Sequence, residues 1–230
     1  MAPRPRRKPL RLADAERAIV RTLDRGEVHR ARAKEAAAAG DAQGAFDEVS
    51  RAIEVSPRDA WSHAARAVYR SNLDHDAALV TADFDRAVEL APTSLFARFH
   101  RSEWRFGLED FAGALEDLDH AVLASPRYGR LYLERAATRG YVGDASGKPD
   151  EHRANLEASV VDLRKALELG VEEPVEVYFH LTFTLRDLGQ REEATSAFER
   201  WCALAPDDRR LESIKNDLAK RSSPRRATTQ

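Results

Sequence analysis

Small and apolar side chains return on a fixed beat along this chain. The phrase Ala52-Ile53-Glu54-Val55-Ser56-Pro57 comes back as Ala87-Val88-Glu89-Leu90-Ala91-Pro92 and as Ala121-Val122-Leu123-Ala124-Ser125-Pro126, and a further copy ends at Ala205-Pro206. The first three prolines stand 35 and 34 residues apart. A period of about 34 residues marks a stack of helix pairs, each burying its apolar face only against its neighbours. Within a pair, Gly40, Gly143 and Gly189 are expected to end the first helix in a left-handed turn. Pro57, Pro92, Pro126 and Pro206 stop the second helix. Beyond Pro206, Asp207 or Asp208 is placed to cap a last helix with the apolar stripe Leu211, Ile214 and Leu218. A matching helix is predicted upstream, from Leu12 to Leu23.

Aligned on one another, the units share an order of small and large positions. The first supplies Ala33, Gly40, Ala45, Val49, Ala52 and Pro57, and the second Ala67, Phe84, Ala87 and Pro92, with one residue added near Asp74. The third gives Ser102, Phe111, Ala114, Leu118, Ala121 and Pro126. In the fourth stand Ala136, Gly143, Leu163, Ala166 and Leu167, with a turn from Asp144 to about Asn155 some 11 residues too long and no closing proline. The fifth has Gly189, Ala194, Phe198 and Pro206, with Trp201 where Ala is expected. On these positions the chain resembles the tetratricopeptide repeat (TPR) family. The resemblance implies an all-α, right-handed α-solenoid of about five helix pairs, with repeats at 25–58, 59–93, 94–127, 128–173 and 174–206. Capping helices at 12–24 and 207–220 and basic tails at 1–11 and 221–230 complete the expected layout. Small residues let the paired helices approach closely, and the larger side chain four residues on fills the gap.

Charges follow the repeat as well. Arg32, Arg66, Arg101 and Arg135 fall at position 7 of the first four units, and Glu48, Asp83, Asp117 and Asp162 fall at position 23. In the fifth unit both sites are apolar, Leu181 and Ala197. Two positions that change together are expected to be ion-pair partners within a repeat, because the planar fork of arginine matches a carboxylate. Arg70, Arg105 and Arg139, at position 11, show no acidic companion in the pattern and are read as solvent-exposed arginines, with a positive ridge that docks an acidic partner as the alternative.

In TPR proteins positions 2, 5, 9, 12 and 13 of the first helices line the concave face. Carried onto this chain, the resemblance places Trp61, Phe96, Phe99, Phe106, Leu133, Tyr141, Phe179 and Phe183 there, with Arg30, Lys34, Glu103, Arg130, Arg186 and Asp187 as the polar members. It implies a mostly apolar trough that holds a partner peptide or an amphipathic helix by aromatic anchors. The alternative is that some of these rings pack between repeats, position 2 above all. The chaperone-tail clamp of the family needs Lys and then Asn at positions 5 and 9; here Arg30 and Lys34, then Ala64 and Val68, stand there, so that partner class is set aside.

Composition changes the picture in three ways. The net charge of −2 conceals five cations and no acid in residues 1–11 and four cations and no acid in 220–230; removing those nine leaves −11 between them. Basic, Pro- and Ser-containing ends on an acidic body read as disordered tails, which gives the second functional reading, an adaptor to nucleic acid or an anionic membrane surface. Arginine outnumbers lysine 31 to 6, a bias pointing to GC-rich coding and a bacterial source. Cys202 is the single cysteine, which excludes an internal disulfide and suits a reducing cytoplasm. No phosphate loop, zinc-binding HExxH helix or nucleophile elbow occurs, and the Asp150-Glu151-His152 trio is read as solvated loop rather than a weak metal site. The expectation is a non-catalytic scaffold with no cofactor, no metal and no small-molecule substrate.

Overall fold

The computed structural model describes residues 26–73 and 76–214. The expected tails, the Leu12–Leu23 helix, Leu218 and the addition near Asp74 lie outside the described residues. Among those described there is no strand. Helix α1 occupies 26–38, followed by α2 (Ala42–Val55), α3 (Ala60–Asn72), α4 (Ala77–Leu90), α5 (Leu95–Gly107), α6 (Phe111–Ala124), α7 (Gly129–Ser146), α8 (Pro149–Leu169), α9 (Pro174–Asp187) and α10 (Arg191–Leu204). Residues 211–214 are helical again.

Each second helix starts and stops for local reasons. Asp41, Asp76 and Asp110 precede α2, α4 and α6, and their carboxylates accept from the backbone N–H of Gly44, Ala78 and Gly113. Such a cap satisfies an amide that has no partner inside the helix. Helices α2, α4, α6 and α10 end two residues before Pro57, Pro92, Pro126 and Pro206. The turn after three of them is then held from the next helix. His63 Nε2 lies 3.0 Å from the Pro57 carbonyl, Arg98 Nε donates to that of Pro92 at 3.0 Å, and the Tyr132 hydroxyl donates to that of Pro126 at 3.0 Å. Three unlike side chains share one task, six residues after the proline.

The chain forms two compact units, Met1–Arg101 and Ser102–Gln230, divided within α5. In the first, α2 packs on α3 and α3 on α4. Its core is mostly small: Ala33, Ala45, Val49, Ala52, Ala64, Ala65 and Ala67, with Val80 and Phe84 the larger members. In the second, α6 packs on α7, α7 on α8, α8 on α9 and α9 on α10, and α7 also touches α9. Trp201, Leu118, Leu131, Leu163, Ile214 and Val177 are its largest fully buried apolar side chains.

The stretch from Asp144 to Asn155 is helical almost throughout and is not the projecting loop that the spacing suggests. Helices α7 and α8 run to 18 and 21 residues and leave only Gly147 and Lys148 between them. Gly147 takes a φ of 63°, Pro149 opens α8 with its ring, and Asp150 and Glu151 sit in the first turn, where the helix dipole favours acids. Gly143 is therefore not a helix end. It is buried inside α7, and a Cβ there would stand 2.8 Å from His152 Nδ1 and 3.2 Å from His152 Cα, so glycine is what lets α8 approach. Gly40 and Gly189 do turn with φ of 78°. Gly170, at φ 77°, ends α8 where the proline is missing.

Candidate partner-binding face

The arginines of the candidate ridge are bound to acids. In the first unit Asp83 is buried and accepts from Arg66 Nε and Nη2 at 2.8 and 2.5 Å and from Arg70 Nη1 at 2.7 Å. In the second, Asp117 accepts from Arg105 at 3.0 Å. Asp162 accepts from Arg135 at 2.8 and 2.6 Å, with Arg139 3.4 Å away. The reading that Arg70, Arg105 and Arg139 lack an acidic companion is thus corrected: they share the acid already assigned to position 7. Arg101 and Arg135 also reach back to Asp85 and Asp119 of the preceding helix pair, each at 2.9 Å. Burial pushes Asp83 up, but the imidazole of His63 and the charges of Arg66 and Arg70 outweigh it and hold the carboxyl below its ordinary value. His63 Nδ1 is 3.6 Å from Asp83, beyond hydrogen-bond reach, so the arginines are its direct partners. Burial likewise opposes the charge on Arg135, and Asp162 and Asp119 more than restore it.

The first repeat departs from this scheme. Glu48 meets His29 at 2.6 Å and Arg51 at 2.5 Å, and Arg32 is exposed. The expected Arg32–Glu48 pair is replaced because a histidine one turn earlier on α1 faces the same carboxylate.

The aromatic positions form separate groups. In the first unit Lys34 Nζ lies 5.0 Å over Trp61, which stacks on Phe96 at 5.9 Å. Phe96 and Phe99 both set an edge against His100. Trp61 and Phe96 also pack on buried Ala33, Val49 and Ala65, so they serve the joint between repeats. Arg30 pairs with Asp59 at 3.0 Å.

In the second unit Phe106, Phe111 and Tyr141 make a triangle with centroids 5.0–5.2 Å apart, and Tyr141 is 49% exposed. Beside it a cavity of about 150 Å³ is lined by Ser102, Glu103, Phe106, Leu118, Glu134, Ala137 and Thr138. Leu133 is buried and forms part of the wall of a neighbouring cavity with Arg130, Glu172 and Glu173. Arg130 pairs with Glu134 at 3.0 Å.

Phe179 and Phe183 lean on buried Trp201, which also supports Leu211 and Ile214. Arg210 lies 4.5 Å over Phe179 and bonds Glu176 at 2.7 and 3.0 Å, so the C-terminal segment covers this part of the first-helix face. Asp208 caps that segment by accepting from the Arg210 N–H at 2.9 Å, and takes the Trp201 Nε1–H at 3.0 Å. Arg186 pairs with Asp187 and sits 4.8 Å over Phe183.

His152 pairs with Asp144, and Glu151 with Lys148; no three His, Cys, Asp or Glu side chains gather as a metal site among the described residues. No described helix is long and apolar enough to cross a membrane.

No family model matches the chain. Among solved structures it is similar to MamA (41-end) from Desulfovibrio magneticus RS-1, with a TM-score of 0.66 and 18% identity, over 81% of this chain and 98% of that one. A tetratricopeptide repeat protein from Parabacteroides merdae ATCC 43184 gives a TM-score of 0.67 at 14% identity, over 86% and 73%. The chain has the TPR fold. TTC0263, a thermophilic TPR protein in Thermus thermophilus, aligns at a TM-score of 0.55 and 20% identity, over 85% of this chain and 99% of that one. In sequence, 74 residues are 35% identical to tetratricopeptide repeat protein 36 of Bos taurus, 32% of this chain. The chain spans about two-fifths (39%) of the length of that curated relative.

Proposed function

We propose that this TPR chain is a non-catalytic protein-interaction module that holds a segment of a partner protein against the first helices of its repeats. The observation that carries the reading is the Phe106–Phe111–Tyr141 triangle, a ring cluster with one half-exposed member beside an open cavity on the α5–α7 side. Rings presented in this way bury large area at small entropic cost and are typical anchors. The ion-paired arginines support a rigid frame rather than a capture surface.

The test is site-specific photo-cross-linking in the native host. A photoreactive phenylalanine replaces Lys34 or Tyr141 on first helices, or Leu123, which is 79% exposed on the second helix α6. Adducts with a partner protein from positions 34 and 141 but not from 123 are expected. Adducts from 123 only would overturn the proposal.

A further inference from the structure

The last repeat breaks the charge pattern of those before it. In the third and fourth repeats the arginine at position 7 reaches back to the preceding second helix, Arg101 to Asp85 of α4 and Arg135 to Asp119 of α6, each at 2.9 Å. In the fifth, Leu181 stands for that arginine and Ala197 for its own acid, and the place of Asp85 and Asp119, two residues after the position-23 acid, is taken by Arg164. A groove of about 300 Å³ lies there, with Leu167 of α8, Tyr178, Leu181 and Leu185 of α9 and Ala197 of α10 as its apolar walls. On α9 these residues follow a different stripe from Phe179, Phe183 and Arg186. Of the two arginines that line the groove, Arg164 is bonded to Glu193. Arg200 is exposed and has no hydrogen bond or ion pair among the described residues. Tyr178 is a second open donor. It stands three residues before Leu181, as Tyr132 stands three before Arg135, but no proline closes the fourth repeat. The hydroxyl that Tyr132 gives to the Pro126 carbonyl makes no hydrogen bond in Tyr178 among the described residues.

We infer that this groove is a docking site separate from the first-helix face proposed above, and that it takes a partner-protein segment in which an aliphatic or aromatic residue stands next to an aspartate or glutamate. The apolar side chain lies on Leu167, Leu181 and Leu185, and the carboxylate accepts from the Arg200 guanidinium and the Tyr178 hydroxyl. Such an occupant supplies what the missing ion pair leaves out, an apolar filling and an acid for an arginine. The chain's own ends have the wrong sign for it, since residues 1–11 and 220–230 carry nine cations and no acid. A basic segment would meet Arg200 as like charge, and that repulsion sets the selectivity.

Random dodecapeptides displayed on phage and selected on the full chain test this. The library is first depleted on the Ser196→Trp variant, in which a large ring at an exposed position of α10 fills the groove and leaves the other faces as they are. The expected consensus has Asp or Glu beside an apolar residue. Its affinity should fall about tenfold or more in Arg200→Glu and about threefold in Tyr178→Phe, and should hold in Leu123→Ala on α6. Arg200 and Ser196 are both exposed, so thermal melts of their variants should match that of the parent chain. A basic consensus, an affinity indifferent to Arg200→Glu, or a library with no binder left after depletion would overturn the inference. The first-helix reading, which has its own cross-linking test, would then stand.

Discussion

Asp162 is 3% exposed, and two guanidiniums converge on it from α7. A carboxylate leaves water only when charge and hydrogen bonds replace its hydration, and removing the centre of such a group strands the partners that remain. Asp162→Ala is expected to lower stability by about 3 kcal/mol, read from the urea midpoint. Arg32→Ala, on an exposed residue whose expected partner is held by His29 and Arg51, is expected to change it by less than about 0.5 kcal/mol. Equal costs would show that the Asp-centred pairs carry no special weight. At this scale the charge pattern made the Arg66–Asp83 and Arg135–Asp162 pairs legible, since both partners recur together. It hid the sharing. Arg70 and Arg139 lie one turn beyond Arg66 and Arg135 and reach the same acid, and a one-to-one pattern cannot express two cations on one anion.

Two elements show how local chemistry is rewritten by packing. The long α7–α8 pair reads in sequence as a loop because Gly143, Gly147 and Pro149 are strong breakers, yet only the last two break anything. Gly143 stays helical because α8 presses on it, which is a tertiary reason. The C-terminal segment is the other case. Its apolar stripe and its Asp208 cap were readable, whereas Arg210, which ties it to α9 through Glu176, was not. The Arg210 hydrogen bonds hold both Glu176 and Asp208 below their ordinary values. For carboxyls depressed on folding, the added stability is complete above the unfolded values of about 4 and is lost as pH falls through the folded ones. Acidification below about pH 4 is therefore expected to weaken the hold of this segment on α9 progressively, seen as falling amide protection factors, corrected for the intrinsic rate at each pH, at residues 211–214. Arg210→Ala should show fast exchange there already at pH 7. Protection that persists in Arg210→Ala would mean that Trp201, Leu211 and Ile214 hold the segment without the ion pairs.

Over the whole chain, the basic ends and the acidic body pose the choice between tail-driven and face-driven binding. Removing residues 1–11 and 220–230 is expected to leave affinity for a groove-selected peptide within about twofold. Binding to a polyanion through those nine cations would instead vanish with the tails and fall steeply with salt. Loss of peptide affinity on truncation would return the tails to the centre of the function. The sequence by itself determined the repeat, the helix pairs, their proline stops and the identity of the acids that arginines seek, because these follow from spacing and local propensity within some 35 residues. Only the tertiary structure decided which cations share an acid, that the extra residues of the fourth repeat become helix, and that the rings divide into a repeat joint, a triangle with one exposed member and a patch covered by the C-terminal segment. Those outcomes depend on which side chains from different helices meet, and burial is a property of the packed neighbours rather than of the residue.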